Sequence, residues 1–161
     1  MKGFGLLRTP KILFGAGEAQ RLPVLLKPVA ARVLILTGSM SYQRNPALIR
    51  LFETLEKEGV GTLFERIDHE PSPGDVDRIT DRFRNSDIQA VVAVGGGSVL
   101  DTGKAVSAML PLEGGVMDYL EGVGTRRHPG NKKYFIAIPT TSGTGSEATA
   151  NAVLSGKEIG R

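Results

Sequence analysis

Ala90-Val91-Val92-Ala93-Val94-Gly95-Gly96-Gly97-Ser98-Val99-Leu100-Asp101-Thr102-Gly103-Lys104 decides the fold. Residues 90–94 are small, apolar and uninterrupted by a polar side chain, which predicts a strand buried on both faces. Gly95, Gly96 and Gly97 let the backbone turn sharply and approach another molecule with no Cβ in the way. Ser98 is expected to cap a following helix, with Asp101 returning the hydrogen bond and favouring its positive end. Strand, glycine turn and helix start together predict a concave set of free N–H groups, an anion site whose usual occupant is phosphate. A plain βα turn would need one glycine rather than three. The NTPase phosphate loop does not fit, because Lys104 follows Gly103 but precedes Ala105. Nor does G-x-G-x-x-G, and no acidic residue about 20 positions on completes a ribose contact.

Outward from this centre, strand and helix patterns alternate. Lys11–Gly15 reads as a short strand, and an amphipathic stretch from Glu18 to Leu26 is stopped by Pro28. Arg32–Thr37 predicts a second buried strand, closed by Gly38 and Ser39. Asn45 and Pro46 predict a capped helix whose apolar stripe is Leu48, Ile49, Phe52 and Leu55, ended by Gly59. Gly61–Ile67 reads as a strand. Ser72 and Pro73 then start a helix with Asp75 and Asp77 at its positive end and Val76, Ile79 and Phe83 facing inward. The helix after the glycine turn reaches about Leu110. Residues 114–133 read as a surface loop with a helical turn near Met117–Leu120. Tyr134–Ile138 is a further strand, and Ala150–Leu154 a last extended segment.

Such alternation over short connections predicts α/β architecture, a mostly parallel sheet with helices on both faces. Ligands of these sheets bind at the carboxyl ends of the strands. Gly38, Gly95 and Pro139 all close strands, so three loops are expected to meet on one edge. The third loop, Pro139-Thr140-Thr141-Ser142-Gly143-Thr144-Gly145-Ser146-Glu147, is rich in hydroxyls that hold phosphate or ribose oxygens without fixed charge. A serine- and threonine-rich turn is by itself ordinary; beside the glycine turn it points to a dinucleotide.

Composition narrows the classes. With 161 residues, 40% hydrophobic and 23% charged, the chain has globular proportions and enough apolar residues for a core. The net charge of +3 comes from dispersed residues, which argues against a nucleic-acid groove. No stretch approaches the length of a membrane span and no secretory leader precedes residue 10, so the cytoplasm is the expected compartment. Without cysteine there is neither a disulfide framework nor a thiolate metal site.

Gly-Gly-Gly-Ser-x-x-Asp-x-x-Lys at 95–104 and Pro-Thr-Thr-Ser-Gly-Thr-Gly-Ser-Glu at 139–147 resemble the two signature segments of the iron-containing (metal-dependent, group III) alcohol dehydrogenases. Ile12–Gly15 and the Glu70-Pro71-Ser72 corner are similar to weaker family positions. The resemblance implies a Rossmann-like domain of the dehydroquinate synthase and iron alcohol dehydrogenase fold. It implies that Gly96, Gly97 and Ser98, with Gly95, receive the pyrophosphate of NAD or NADP and that Asp101 lines the same cleft. Thr140, Thr141 and Thr144 would contact phosphate or the nicotinamide ribose, with Asn151 near the nicotinamide. Gly38 and Ser39 stand where members that use NAD often carry an aspartate for the adenine ribose. A missing carboxylate there removes repulsion against a 2′-phosphate and leans the expectation to NADP.

In the family, Fe²⁺ or Zn²⁺ is held by one Asp and three His of a helical second domain, well downstream of the second motif. Residues 1–161 hold none of that ligand set. His69 and His128 are expected in solvent-facing loops, and Lys157 stands past the last strand, at a different spacing from the lysine that members carry there. The expectation is therefore an N-terminal cofactor domain, 1–161, of a two-domain oxidoreductase for a small alcohol or aldehyde. It binds coenzyme without turning over, has no catalytic or metal residue of its own, and forms a homodimer or larger assembly in the parent. A stand-alone nucleotide-binding module is the alternative. A dehydroquinate-synthase-type enzyme would require basic residues where the second motif carries hydroxyls.

Overall fold

The computed structural model describes residues 10–38 and 42–156. Strands β1 (Arg32–Gly38), β2 (Gly61–Ile67), β3 (Ala90–Gly95) and β4 (Tyr134–Pro139) form one sheet in the order β2-β1-β3-β4. Every pairing is parallel, with Gly38 opposite Ile67, Thr37 opposite Val94 and Gly95 opposite Pro139. The central strands are the uninterrupted apolar runs: all six residues of β3 are buried, as are Val33 to Thr37 of β1. The flanking strands are only partly covered, and their sequences admit polar residues accordingly.

Helices α1 (Leu22–Leu26) and α2 (Pro46–Lys57) lie on one face. There Leu22, Leu26, Leu51 and Leu55 pack with Val33, Ile35, Val92 and Val94. The opposite face carries α3 (Pro73–Phe83) and α4 (Gly97–Met109), where Val76, Ile79, Leu100 and Val106 pack with Leu34, Leu36, Val91 and Ala93. Alternate residues of each central strand thus feed opposite cores, as the two-residue period of a strand requires.

Local signals explain the helix starts. Asn45 caps α2, its side chain accepting from the N–H groups of Ala47 (3.0 Å) and Leu48 (3.4 Å). Ser72 and Asp75 form a reciprocal capping box at α3. A 3₁₀ turn at Val116–Tyr119 lies within the long surface loop, held by the Val116 N–H donating to Asp77 at 2.7 Å.

Five expectations change. Lys11–Gly15 forms no strand: it pairs with no other strand among the described residues, and Ile12 and Phe14 are 68% and 97% exposed. The stretch 18–26 breaks into a 3₁₀ turn (Glu18–Arg21) and α1, because Pro23 has no N–H for a continuous α ladder and sits where a new helix begins. On α2 the inward side chain is Leu51 rather than Ile49, since the core face runs Leu48, Leu51, Phe52, Leu55. Residues 150–154 have no ladder partner, and the segment is tied down by the Ser155 N–H donating to the Pro71 carbonyl at 2.7 Å. His128 is half-buried rather than fully solvent-facing: its Nε2 donates to the Ala108 carbonyl (3.2 Å) while its Nδ1 accepts from the Gly130 N–H (3.0 Å).

Candidate functional site

From β1 the chain leaves toward α2 on one face; from β3 it leaves toward α4 on the other. Neighbouring parallel strands whose exits diverge leave a crevice between their carboxyl ends, where ligands of open α/β sheets bind. Gly38 and Gly95 end the two strands that border this crevice.

The α4 N-terminus opens there uncapped. Gly96, extended at φ −80° and ψ −173°, is the cap residue, and no side chain bonds to the first turn. Ser98 is therefore not the cap: three glycines carry the chain into helical geometry two residues earlier than expected, leaving Ser98 exposed in the first turn. Its carbonyl accepts from Thr102 Oγ1 at 2.7 Å. Asp101 does not reciprocate a cap either. Its carboxylate faces Lys104 Nζ at 2.7 Å and the Ser146 hydroxyl at 3.4 Å.

The glycines have separate reasons to be glycine. A Cβ on Gly95 would lie 2.6 Å from Val99 Cγ2, so that position serves close packing of strand against helix. Gly103 does likewise: a Cβ would meet Ala93 Cβ at 2.7 Å and Phe135 at 2.9 Å. At Gly96 and Gly97 a Cβ would point to the hydroxyl-rich loop, 3.2 Å from Thr141 Oγ1 and 3.3 Å from Thr144 Cγ2. The two motifs therefore touch. The Thr140 N–H also donates to the Gly95 carbonyl at 2.9 Å, and the loop turns on Gly143 and Gly145 at φ 96° and 67°.

The structure thus brings together Gly95, Gly96, Gly97, Ser98, Thr140, Thr141 and Thr144, with Asp101 beneath the loop. Gly38 closes the neighbouring strand, while Asn151 is exposed, its carbonyl accepting from Lys104. Ser39 and Lys157 lie outside the described residues. The sequence assigned no role to Lys104, Ser146, Thr149 or Gly103. The three-residue spacing of Asp101 and Lys104 on one helix was the available signal for the first of these.

Beyond β2 the adjoining corner is closed by its own side chains. His69 lies 2.9 Å from both Asp68 and Asp75. Hydrogen bonding to Asp68, then to Asp75, raises the imidazole above its ordinary value. Partial burial pulls Asp75 upward, but the Ser72 N–H, His69 and the Ser72 hydroxyl outweigh it and leave the carboxyl below its usual range. Hydrogen bonds from His69 and Arg66 lower Asp68. Among the described residues no group of three His, Cys, Asp or Glu side chains is arranged to hold a metal ion, and no helix is long and apolar enough to cross a membrane.

These features define a class: an open, parallel α/β domain with an uncapped, glycine-rich helix start at its switch point. The chain belongs to the iron-containing alcohol dehydrogenase family, whose model matches residues 9–161. It is 33% identical to a probable NADH-dependent butanol dehydrogenase of Bacillus subtilis, an alignment covering 98% of this chain and 40% of that protein. The crystal structure of an NADH-dependent butanol dehydrogenase from Thermotoga maritima superimposes with a TM-score of 0.87 at 27% identity, over 99% of this chain and 40% of that one. A sulfoacetaldehyde reductase from Bifidobacterium kashiwanohense, solved in complex with NAD⁺, superimposes with a TM-score of 0.81 at 26% identity, over 98% and 42%. The chain therefore spans about 40% of the length of the relatives it matches.

Proposed function

We propose that this chain is the coenzyme-binding domain of an iron-type, NAD(P)-dependent alcohol dehydrogenase, and that the crevice between β1 and β3 takes the dinucleotide. The observation that carries the reading is the uncapped α4 N-terminus: its N–H groups are left without a side-chain partner and face a loop of hydroxyls. The N–H groups of Gly97 and Ser98 would receive the diphosphate, with the positive helix end favouring its charge. The Thr141 and Thr144 hydroxyls would donate to the same oxygens or to a ribose; the nearness of Thr141 Oγ1 to Gly96 supports the first of these. Gly96 and Gly97 keep the approach clear. Asn151 is assigned to the nicotinamide side and Gly38 with Ser39 to the adenine ribose.

When bound, the nicotinamide supplies the hydride acceptor or donor for an alcohol–aldehyde pair. The metal ligands and most of the substrate pocket are assigned to a helical domain outside these residues, so the chain binds coenzyme and does not turn over. The relatives' names specify NADH, and one was solved with NAD⁺; this supports NAD and lends no weight to NADP, although no carboxylate at Gly38 repels a 2′-phosphate.

Fluorescence titration of the chain with NADH and NADPH side by side tests the reading. Saturable binding of at least one coenzyme, without alcohol-dependent reduction of NAD⁺ or NADP⁺, is expected. No binding of either would overturn it.

A further inference from the structure

Lys104 lies seven residues after Gly97, about 10 Å down the helix from the anion-receptive turn at 1.5 Å per residue. Its side chain is only 11% exposed and that of Asp101 10%. An ammonium has three N–H donors and no acceptor. All three have partners inside the chain: Asp101 Oδ1 at 2.7 Å, Thr149 Oγ1 at 2.9 Å and the carbonyl of Asn151. The other oxygen of Asp101 faces the Ser146 hydroxyl at 3.4 Å, and Ser146 is itself buried. One ion pair on α4 thus grips the hydroxyl-rich segment at Ser146, Thr149 and Asn151, just beyond the glycines that give that segment its freedom.

We propose that Lys104 is a positioning residue. With Asp101 it clamps residues 146–151 to α4, so that Thr141 and Thr144 stand over the glycine turn before any dinucleotide arrives. Lys104 has no donor left for a phosphate, and the Asp101 carboxylate, turned to Lys104 and Ser146, is only 10% exposed to a ribose hydroxyl. The pair cancels its own charge. The helix end therefore attracts anions through its N–H groups alone, and Asp101 leaves the set of coenzyme contacts. A buried pair costs desolvation that a well-packed apolar pair would not; what the ionic pair supplies is fixed direction, three bonds from one point to three places on a glycine-rich loop. This inference rests on the dinucleotide reading of the same crevice.

Hydrogen exchange of the ligand-free chain, followed by NADH titration, tests it in Lys104→Met and Lys104→Arg. Lys104→Met is expected to accelerate exchange across 143–151 by about tenfold or more while β1 and α2 keep their protection, as loss of several bonds to a charged donor implies. NADH affinity falls by about tenfold with it, and Lys104→Arg, which keeps charge and donors, recovers most of both. Unchanged exchange in Lys104→Met overturns the clamp. So does weaker NADH binding with undisturbed exchange, which would make Lys104 a direct ligand contact. Should Lys104→Met lose its circular-dichroism signature, Thr149→Ala and Ser146→Ala decide: faster exchange confined to 143–151 supports the clamp, and native exchange in both overturns it. If the wild-type chain binds neither NADH nor NADPH, the coenzyme reading fails, while the exchange data still judge the clamp.

Discussion

Helices α3 and α4 both begin at the carboxyl edge of the sheet on the same face, yet their first turns have opposite fates. At α3, Ser72 and Asp75 exchange hydrogen bonds and His69 presses on the same carboxylate. The helix satisfies itself. At α4 the cap is Gly96, no side chain answers the first turn, and the nearest hydroxyls belong to a separate loop. One sequence therefore builds a closed helix start and an open one a single crossover apart, and only the open one borders the switch point. Orphan N–H groups cost stability unless something meets them. Side chains cap α2 and α3, whereas the bare start of α4 is the one that lies at the switch point, where the proposed diphosphate would meet it.

The comparison breaks most readily at Gly97. In Gly97→Val the first side-chain atom would already stand 3.3 Å from Thr144, so the branches fill the space between the motifs. NADH affinity is expected to fall about a hundredfold or more with the far-UV spectrum intact; calorimetric titration giving native affinity would remove the diphosphate from this turn. Gly38→Asp sharpens the picture at the neighbouring strand. A carboxylate there should weaken NADPH relative to NADH by about tenfold, and an unchanged ratio would place the adenine ribose elsewhere.

At the closed helix the expected effects are on stability alone. Ser72→Ala should cost about 1 kcal/mol in urea unfolding through the lost cap, with NADH affinity unchanged; weaker binding would make α3 part of the site. The smallest effect is on pH. The folded imidazole of His69 is raised above its unfolded value, so its contribution is complete below about pH 6.5 and lost as pH climbs through the raised value. Asp68 and Asp75 are lowered, so their contribution holds above the ordinary carboxylate range and disappears as pH falls through their folded values. Urea midpoints of His69→Gln should lack the alkaline decline of the native chain, while a shared decline would deny His69 that role.

Much of this contrast was legible beforehand. The runs 33–36 and 90–94 contain only apolar residues, as a doubly covered strand requires, and Asn45-Pro46 and Ser72-Pro73 announce their helices with chemistry that acts within four residues. Where partners come from far along the chain, the pattern was silent or misleading. Ser98 looks like a cap because its local context is right, yet three glycines let the backbone enter the helix early. Asp101 looks like its partner, yet its charge is claimed by Lys104 one turn on and by Ser146 forty-five residues away. Lys11–Gly15 has strand composition, but a strand exists only beside another. Gly103 reads as a flaw in a helix until Ala93 and Phe135 are seen beneath it.

Coenzyme binding at the bare helix start is read out by the amide chemical shifts of the chain on adding NADH. Saturable shifts are expected at the Gly96, Gly97 and Ser98 N–H groups and at Thr141 and Thr144, with the Ser72–Asp75 amides unmoved. Shifts centred on Ser72–Asp75, or a silent glycine turn at saturating coenzyme, would contradict it.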